Sequence, residues 1–86
     1  MRLLIPPPLH SYTGGVSEAQ ATAATLSAAL AQLDALYPGI RFRIVDEQDR
    51  IRPHIRIFVD GQLAASLQQS LSGKNDVQIV CALSGG

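Results

Sequence analysis

The residues best suited to chemistry are the last three, Ser84-Gly85-Gly86. An apolar run from Val77 to Leu83 stops abruptly, and a serine and two glycines follow it. With glycine at about 7% of residues, a terminal Gly-Gly arises by chance in roughly one chain in two hundred. Two readings stand. In one, the dipeptide is a frayed or cloning-derived end. In the other, the free carboxylate of Gly86 is a reactive group, and Gly85 is the residue that lets it through. Without a Cβ, both glycines enter a slot too narrow for any side chain. Fully extended, residues 84–86 carry the carboxylate roughly 10 Å beyond the last strand. That reach suits delivery into another protein's active site.

Other chemistry is thin. An enzyme needs convergent acids, bases or nucleophiles, and the chain offers few. Cys81 lies in the apolar final run and reads as a small buried hydrophobe. His10 and His54 have no ligand-like spacing to Cys81 or to each other, so no metal site is expected. Gly14-Gly15 lacks the phosphate-loop pattern and reads as a turn.

Composition narrows the classes further. The 86 residues make one domain, 47% hydrophobic and 16% charged, with zero formal net charge. No bulk attraction to nucleic acid or anionic membrane follows from that balance. Five of the seven basic residues, Arg41, Arg43, Arg50, Arg52 and Arg56, cluster in the middle, interleaved with Asp46, Glu47 and Asp49. They read as a self-compensating surface. A single cysteine rules out an internal disulfide and fits a reducing compartment. No signal h-region precedes Pro6 and no run reaches membrane-spanning length, so a cytoplasmic protein is expected.

The elements that must position the tail are legible in outline. Met1 to Ile5 reads as a strand buried on both faces, ended by Pro6-Pro7-Pro8. Leu9 to Gly15 reads as a turn, and Val16 to Thr22 as a weak strand returning on the first. Thr25 is placed to cap a helix from Leu26 to about Tyr37. Leu26, Ala29, Leu30, Leu33, Leu36 and Tyr37 form its apolar stripe, and Pro38-Gly39 stops it. Ile40 to Asp46 alternates like a strand, with Ile40, Phe42 and Ile44 on one side and Arg41 and Arg43 on the other, and Asp46 to Arg52 reads as a turn or short edge. A strand from His54 to Val59 follows Pro53. Asp60-Gly61 then signals a hairpin into a short strand at Gln62 to Ala65. Leu67 and Leu71 are expected to pin the next segment to the core. Ser72 to Asp76 is a turn, and Val77 to Leu83 the last strand. The first and last strands are the most continuously hydrophobic and belong at the sheet's centre. A mixed sheet of four or five strands with one main helix on one face makes an α+β roll of the β-grasp, ubiquitin-like type. On this reading residues 1–83 are the domain and 84–86 a flexible tail. On the face away from the helix, Phe58 stands beside Arg56, with Leu4 and Val80 sharing that side. Such a patch, continued by Ser84, reads as a partner-docking surface.

The chain resembles the MoaD/ThiS family of ubiquitin-like sulfur carriers. The resemblance rests on Ile5-Pro6-Pro7-Pro8-Leu9 with Tyr12-Thr13-Gly14, on Leu36-Tyr37-Pro38-Gly39, and on Ile57-Phe58-Val59-Asp60-Gly61. It ends with Asp76-Val77-Gln78-Ile79 leading into Ser84-Gly85-Gly86. The proline–tyrosine–glycine start is most similar to members that work with cysteine-synthase-like enzymes or in secondary-metabolite pathways. The chain departs from the family at Gly73-Lys74-Asn75-Asp76, where members usually carry a Gly-Asp-acidic turn, and that bears on the partner. The resemblance implies a carrier, not an enzyme. An E1-like adenylating partner would join the Gly86 carboxylate to AMP from Mg-ATP. A sulfur donor would then leave a thiocarboxylate, passed to a sulfur-accepting synthase in molybdopterin, thiamine, cysteine or secondary-metabolite synthesis. Nucleotide, metal and sulfur donor belong to the partners, no cofactor is expected on this chain, and the free chain is expected to be a monomer. Two alternatives remain: a ubiquitin-like modifier conjugated through Gly86 to lysines, and a non-covalent β-grasp interaction module.

Overall fold

Thr25 fixes the start of the longest helix, α2 (Leu26–Leu36), in a computed structural model that describes residues 1–82. The Thr25 backbone is extended, and its hydroxyl oxygen accepts a hydrogen bond from the Ala28 amide at 3.2 Å. That satisfies one of the four amides a helix start leaves without a partner. The Leu26 and Ser27 amides donate instead to the carbonyls of Gln69 and Leu67, both at 2.9 Å. Leu67 and Leu71 are buried beneath this contact, so the segment is pinned as the sequence implies. Leu26, Ala29, Leu30 and Leu33 form the buried stripe. Leu36, expected to join it, is 58% exposed. It is the last residue of the helix, three positions past Leu33, where the buried stripe ends.

The sheet has five strands in the order β2-β1-β5-β3-β4. These are β1 (Arg2–Leu4), β2 (Glu18–Gln20), β3 (Ile55–Val59), β4 (Gln62–Leu63) and β5 (Asp76–Cys81). β1 and β5 are adjacent, parallel and central, with Leu3 opposite Val77. The remaining pairs are antiparallel. Asp60 and Gly61, both at positive φ, make the two-residue turn between β3 and β4. This is the hairpin that the Asp-Gly pair signals. One face of the sheet, carrying Leu3, Ile55, Ile57, Val59, Val77 and Ile79, packs with α2 into a single core. Among the described residues, no helix or strand covers the other face. Met1 to Ile5 is therefore not buried on both faces: Leu3 is buried, while Leu4 is only half-buried. A single main helix has surface for one side of the sheet.

Two segments depart from the sequence reading. Leu9 to Gly15 is not a plain turn. A single 3-10 turn at Pro7–Leu9 runs into the short helix α1 (His10–Thr13), which Gly14 ends in the left-handed conformation at φ 66°. Proline at the first helical positions and glycine just past the last are the usual marks of a helix. Ile40–Ile44 is a helix, α3, and not a strand. Ile40 and Ile44 are buried one turn apart, while Phe42, expected on their face, is 58% exposed. The Asp34 carboxylate accepts from the Gly39 and Arg41 amides, both at 3.1 Å, and so holds the start of α3. Smaller differences are matters of extent. β2, β4 and β5 are shorter than Val16–Thr22, Gln62–Ala65 and Val77–Leu83, and Leu83 lies outside the described residues.

Candidate functional site

Ser84, Gly85 and Gly86 lie outside the described residues. What the structure supplies is the platform from which they leave. β5 runs along the middle of the sheet and ends at Cys81, hydrogen-bonded to β1 on one side and β3 on the other. The Ala82 amide still donates to the His54 carbonyl at 2.7 Å. The backbone is thus held through residue 82, four residues before Gly86.

Of the docking residues expected from the sequence, Leu4, Arg56, Phe58 and Val80 sit on the open face, and Ser84 lies outside the described residues. Arg56 stands opposite Val80, and Phe58 opposite Gln78, which stands opposite Leu4. They do not form one patch. Leu4 and Val80 meet in a shallow groove of about 490 Å³ whose apolar wall is completed by Pro6, Pro7 and Pro8. Phe58 lies across Gln78 from it, half-buried, and Arg56 turns its guanidinium onto the Pro53 and Ile55 carbonyls. Phe58 has a neighbour that sequence reasoning missed: Leu63, directly opposite and 59% exposed. The signal was there. A two-residue Asp60-Gly61 turn pairs Val59 with Gln62, and therefore Phe58 with Leu63.

At the far end of the same face, Arg2 and Asp76 form a two-pronged ion pair, with Nε to Oδ1 at 2.9 Å and a second nitrogen to Oδ2 at 3.0 Å. The Arg2 hydrogen bond holds the Asp76 carboxyl below the usual carboxylate range. Asp60 closes that end, accepting from the Asp76 amide at 2.8 Å. Arg41–Asp49 and Arg50–Asp46 pair elsewhere, so the middle basic cluster is compensated only in part.

Cys81 is half-buried on the inner side of β5, opposite Ile55, and burial raises its thiol pKa. At neutral pH it stays protonated, which suits packing better than attack. The His10 ring lies against the Ile5 carbonyl at 2.9 Å, and His54 is exposed. Among the described residues, no three His, Cys, Asp or Glu side chains gather to hold a metal ion, and no helix is long and apolar enough to cross a membrane.

Two of the sequence pieces behind the family resemblance touch in space. The Tyr12 ring lies so close to Gly39 that a Cβ there would meet it at 3.4 Å, at a backbone φ of 98° that favours glycine. That contact gives the Tyr12 and Pro38-Gly39 positions a common physical reason.

Comparison with known proteins follows the same lines. The sequence model of the ThiS family matches residues 3–86. The sulfur carrier protein CysO of Mycobacterium tuberculosis is 31% identical over 87 residues, spanning 95% of this chain and 94% of that protein. A chain in the crystal structure of the BexX/CysO complex from Amycolatopsis orientalis superposes with a TM-score of 0.88 at 25% identity, covering 99% of this chain and 98% of its own. SAMP1 from Haloferax volcanii, at 22% identity and a TM-score of 0.77, covers 100% of this chain and 98% of its own. At that identity the likeness is one of fold.

Proposed function

The chain belongs to the ThiS family of ubiquitin-like β-grasp proteins, and on that premise we propose that it is a sulfur carrier whose reactive group is the Gly86 carboxylate. The observation that carries this reading is the likeness to a sulfur carrier protein across 95% of the chain. The family match, which runs on through Gly86, supports it. The chemistry is a two-step activation. A carboxylate oxygen of Gly86 attacks the α-phosphorus of ATP, the bond to the β-phosphate breaks, and pyrophosphate leaves from an acyl-adenylate. A sulfur donor at the hydrosulfide level then adds to the acyl carbon. AMP departs with the carbon–oxygen bond pair, one proton is released, and a thiocarboxylate remains. An adenylating partner supplies Mg-ATP and the catalytic groups, and a second enzyme consumes the sulfur. The complex of BexX with CysO supports a protein partner for a chain of this kind.

The body of the protein serves this scheme as a handle. β5 is held by β1 as far as Gln78 and by β3 as far as Cys81, and the Ala82 amide is still bonded to the His54 carbonyl, so residues 83–86 reach about 14 Å from that point when extended. Mass analysis of the intact protein from its own host tests the reading. A species heavier by the difference between sulfur and oxygen is expected, and conjugates heavier by a whole protein would assign a modifier instead. Deleting Gly86, or adding one residue after it, shifts the carboxylate by roughly 3.5 Å. A misplacement of about 1 Å already costs on the order of a hundredfold in rate. Both variants are expected to keep the wild-type melting temperature and lose ATP–pyrophosphate exchange with the host's adenylating enzyme. Exchange at the wild-type rate by either variant overturns the role of Gly86.

A further inference from the structure

Charge is distributed unevenly along β5. Its first residue, Asp76, stands with Asp60 and is paired with Arg2. At its last, Cys81, the surroundings are basic and aromatic. A pocket of about 550 Å³ opens there, lined by Tyr12, Phe42, Arg43, Arg52, His54 and Ala82 among others, with no acidic side chain among the described residues that line it. Both arginines are braced on aromatic rings. Arg52 lies 4.6 Å from the centre of the Phe42 ring and donates its Nε to the Phe42 carbonyl at 2.7 Å. Arg43 lies 5.8 Å from the centre of the Tyr12 ring and donates its Nε to the Tyr12 hydroxyl. The terminal guanidinium nitrogens of both have no hydrogen-bond or carboxylate partner among the described residues. A chain with zero net charge thus keeps at one spot two oriented forks, neither bonded to a carboxylate among the described residues, with Asp46 acting on Arg52 only through longer-range attraction.

We propose that this pocket is a docking subsite for a carboxylate-bearing protein segment of the enzyme that acts on Gly86, with Arg43 and Arg52 as the anion receptors. The inference rests on the reading of Gly86 as the reactive end. Guanidinium forks match carboxylates in two-pronged geometry, and bracing on rings reduces the freedom lost on binding. Tyr12 and Phe42 add apolar walls, which favour aspartate or glutamate carried beside an apolar side chain over a free inorganic anion. Position supplies the rest. Ala82 belongs to the pocket wall, so a segment seated there holds the partner within four residues of Gly86. Phe42, exposed without apparent reason in the fold, and Arg52, left over by the middle ion pairs, both acquire a use.

The test titrates isotope-labelled full-length protein with three probes: a blocked peptide alternating glutamate and phenylalanine, the same peptide with glutamine for glutamate, and inorganic phosphate. The acidic peptide is expected to move the signals of Tyr12, Arg43, Arg52 and Ala82. It should bind at least tenfold more tightly than the glutamine peptide or phosphate, and the preference should vanish in Arg43→Gln/Arg52→Gln. Equal affinity for phosphate reassigns the pocket to small anions and overturns the proposal, as does equal affinity for the two peptides. In ATP–pyrophosphate exchange, the double variant should raise the carrier's KM about tenfold or more with kcat within about twofold. A change confined to kcat also overturns it. If the wild-type chain supports no exchange, the reading of Gly86 falls by itself, and the peptide titration still judges the pocket.

Discussion

The two faces of the same five strands have opposite fates. On the inner face, Leu3, Ile57, Val77 and Ile79 are all at most 2% exposed, closed in by Leu26, Leu30 and Leu33 of α2. On the outer face, one residue along each strand, Leu4, Phe58 and Val80 are half-buried and Leu63 is largely bare. These four outer side chains are as apolar as the inner ones but stand among Arg2, Arg56, Asp76 and Gln78, so the apolar character of a residue does not by itself decide its burial. What decides it is the supply of covering elements, and this chain has one long helix. The lesson is that apolar character on the open side is surplus to folding, which marks it for contact with something else.

Substitutions on each side test that division. Leu30→Ala or Leu33→Ala removes a fully enclosed side chain and leaves a cavity in a region that cannot collapse onto it. Each is expected to lower stability by roughly 2–5 kcal/mol, read from denaturant unfolding. A loss below about 1 kcal/mol at both would mean that α2 is not the element closing the inner face.

On the outer face the effect should be smaller and of a different kind. Phe58→Ala removes a half-exposed ring with no element above it, so the expected loss of stability is below about 1 kcal/mol. Binding to the adenylating enzyme should weaken measurably, and Leu63→Ala should weaken it in the same direction because the two side chains are directly opposed. A large drop in melting temperature with unchanged binding would put Phe58 in the core, and the contrast between the faces would fail.

How much of this was legible depends on whether one local pattern had one solution. Leu26 to Leu36 was readable because Thr25, the leucine spacing and Pro38-Gly39 all point to the same helix. The central placement of the first and last strands follows from their continuous hydrophobicity, although Leu4 and Val80 are only half-buried on the open face. Ile40–Ile44 is ambiguous in sequence because five residues satisfy two periods at once: Ile40, Phe42 and Ile44 alternate, while Ile40 and Ile44 are also one helical turn apart. The deciding contacts, Asp34 onto the Gly39 and Arg41 amides, come from outside the segment. The pocket beside Cys81 was invisible for a related reason. Tyr12, Phe42, Arg52 and Ala82 are spread along the sequence, and strand alternation over Ile40 to Asp46 groups Phe42 with Ile40 and Ile44, whereas the helix turns it away from them. The tail's chemistry, by contrast, rests on the Gly-Gly, which by residue type alone leaves two readings open, and on the family resemblance that chooses between them.

The smallest expected effect concerns the ion pair on the outer face. Arg2 and Asp76 are both well exposed, so their attraction is largely screened and their pairing should matter little at neutral pH. The direction is nevertheless fixed. Because Arg2 lowers the folded-state pKa of Asp76, the pair contributes stability at pH values above the ordinary aspartate value of about 3.9. That contribution is lost as pH falls through the lowered folded value. Arg2→Met keeps the aliphatic stem and removes the charge. Its Asp76 carboxyl carbon should titrate at higher pH than in the wild type. Its melting temperature should fall slightly below the wild type's at neutral pH and converge with it in acid. Salt at about 1 M, where the screening length is about 3 Å, should shrink the difference at neutral pH. If the two proteins instead diverged as the solution became more acidic, Arg2 would be acting through packing and not through charge. The outer face would then contribute to the fold in a way its exposure does not reveal.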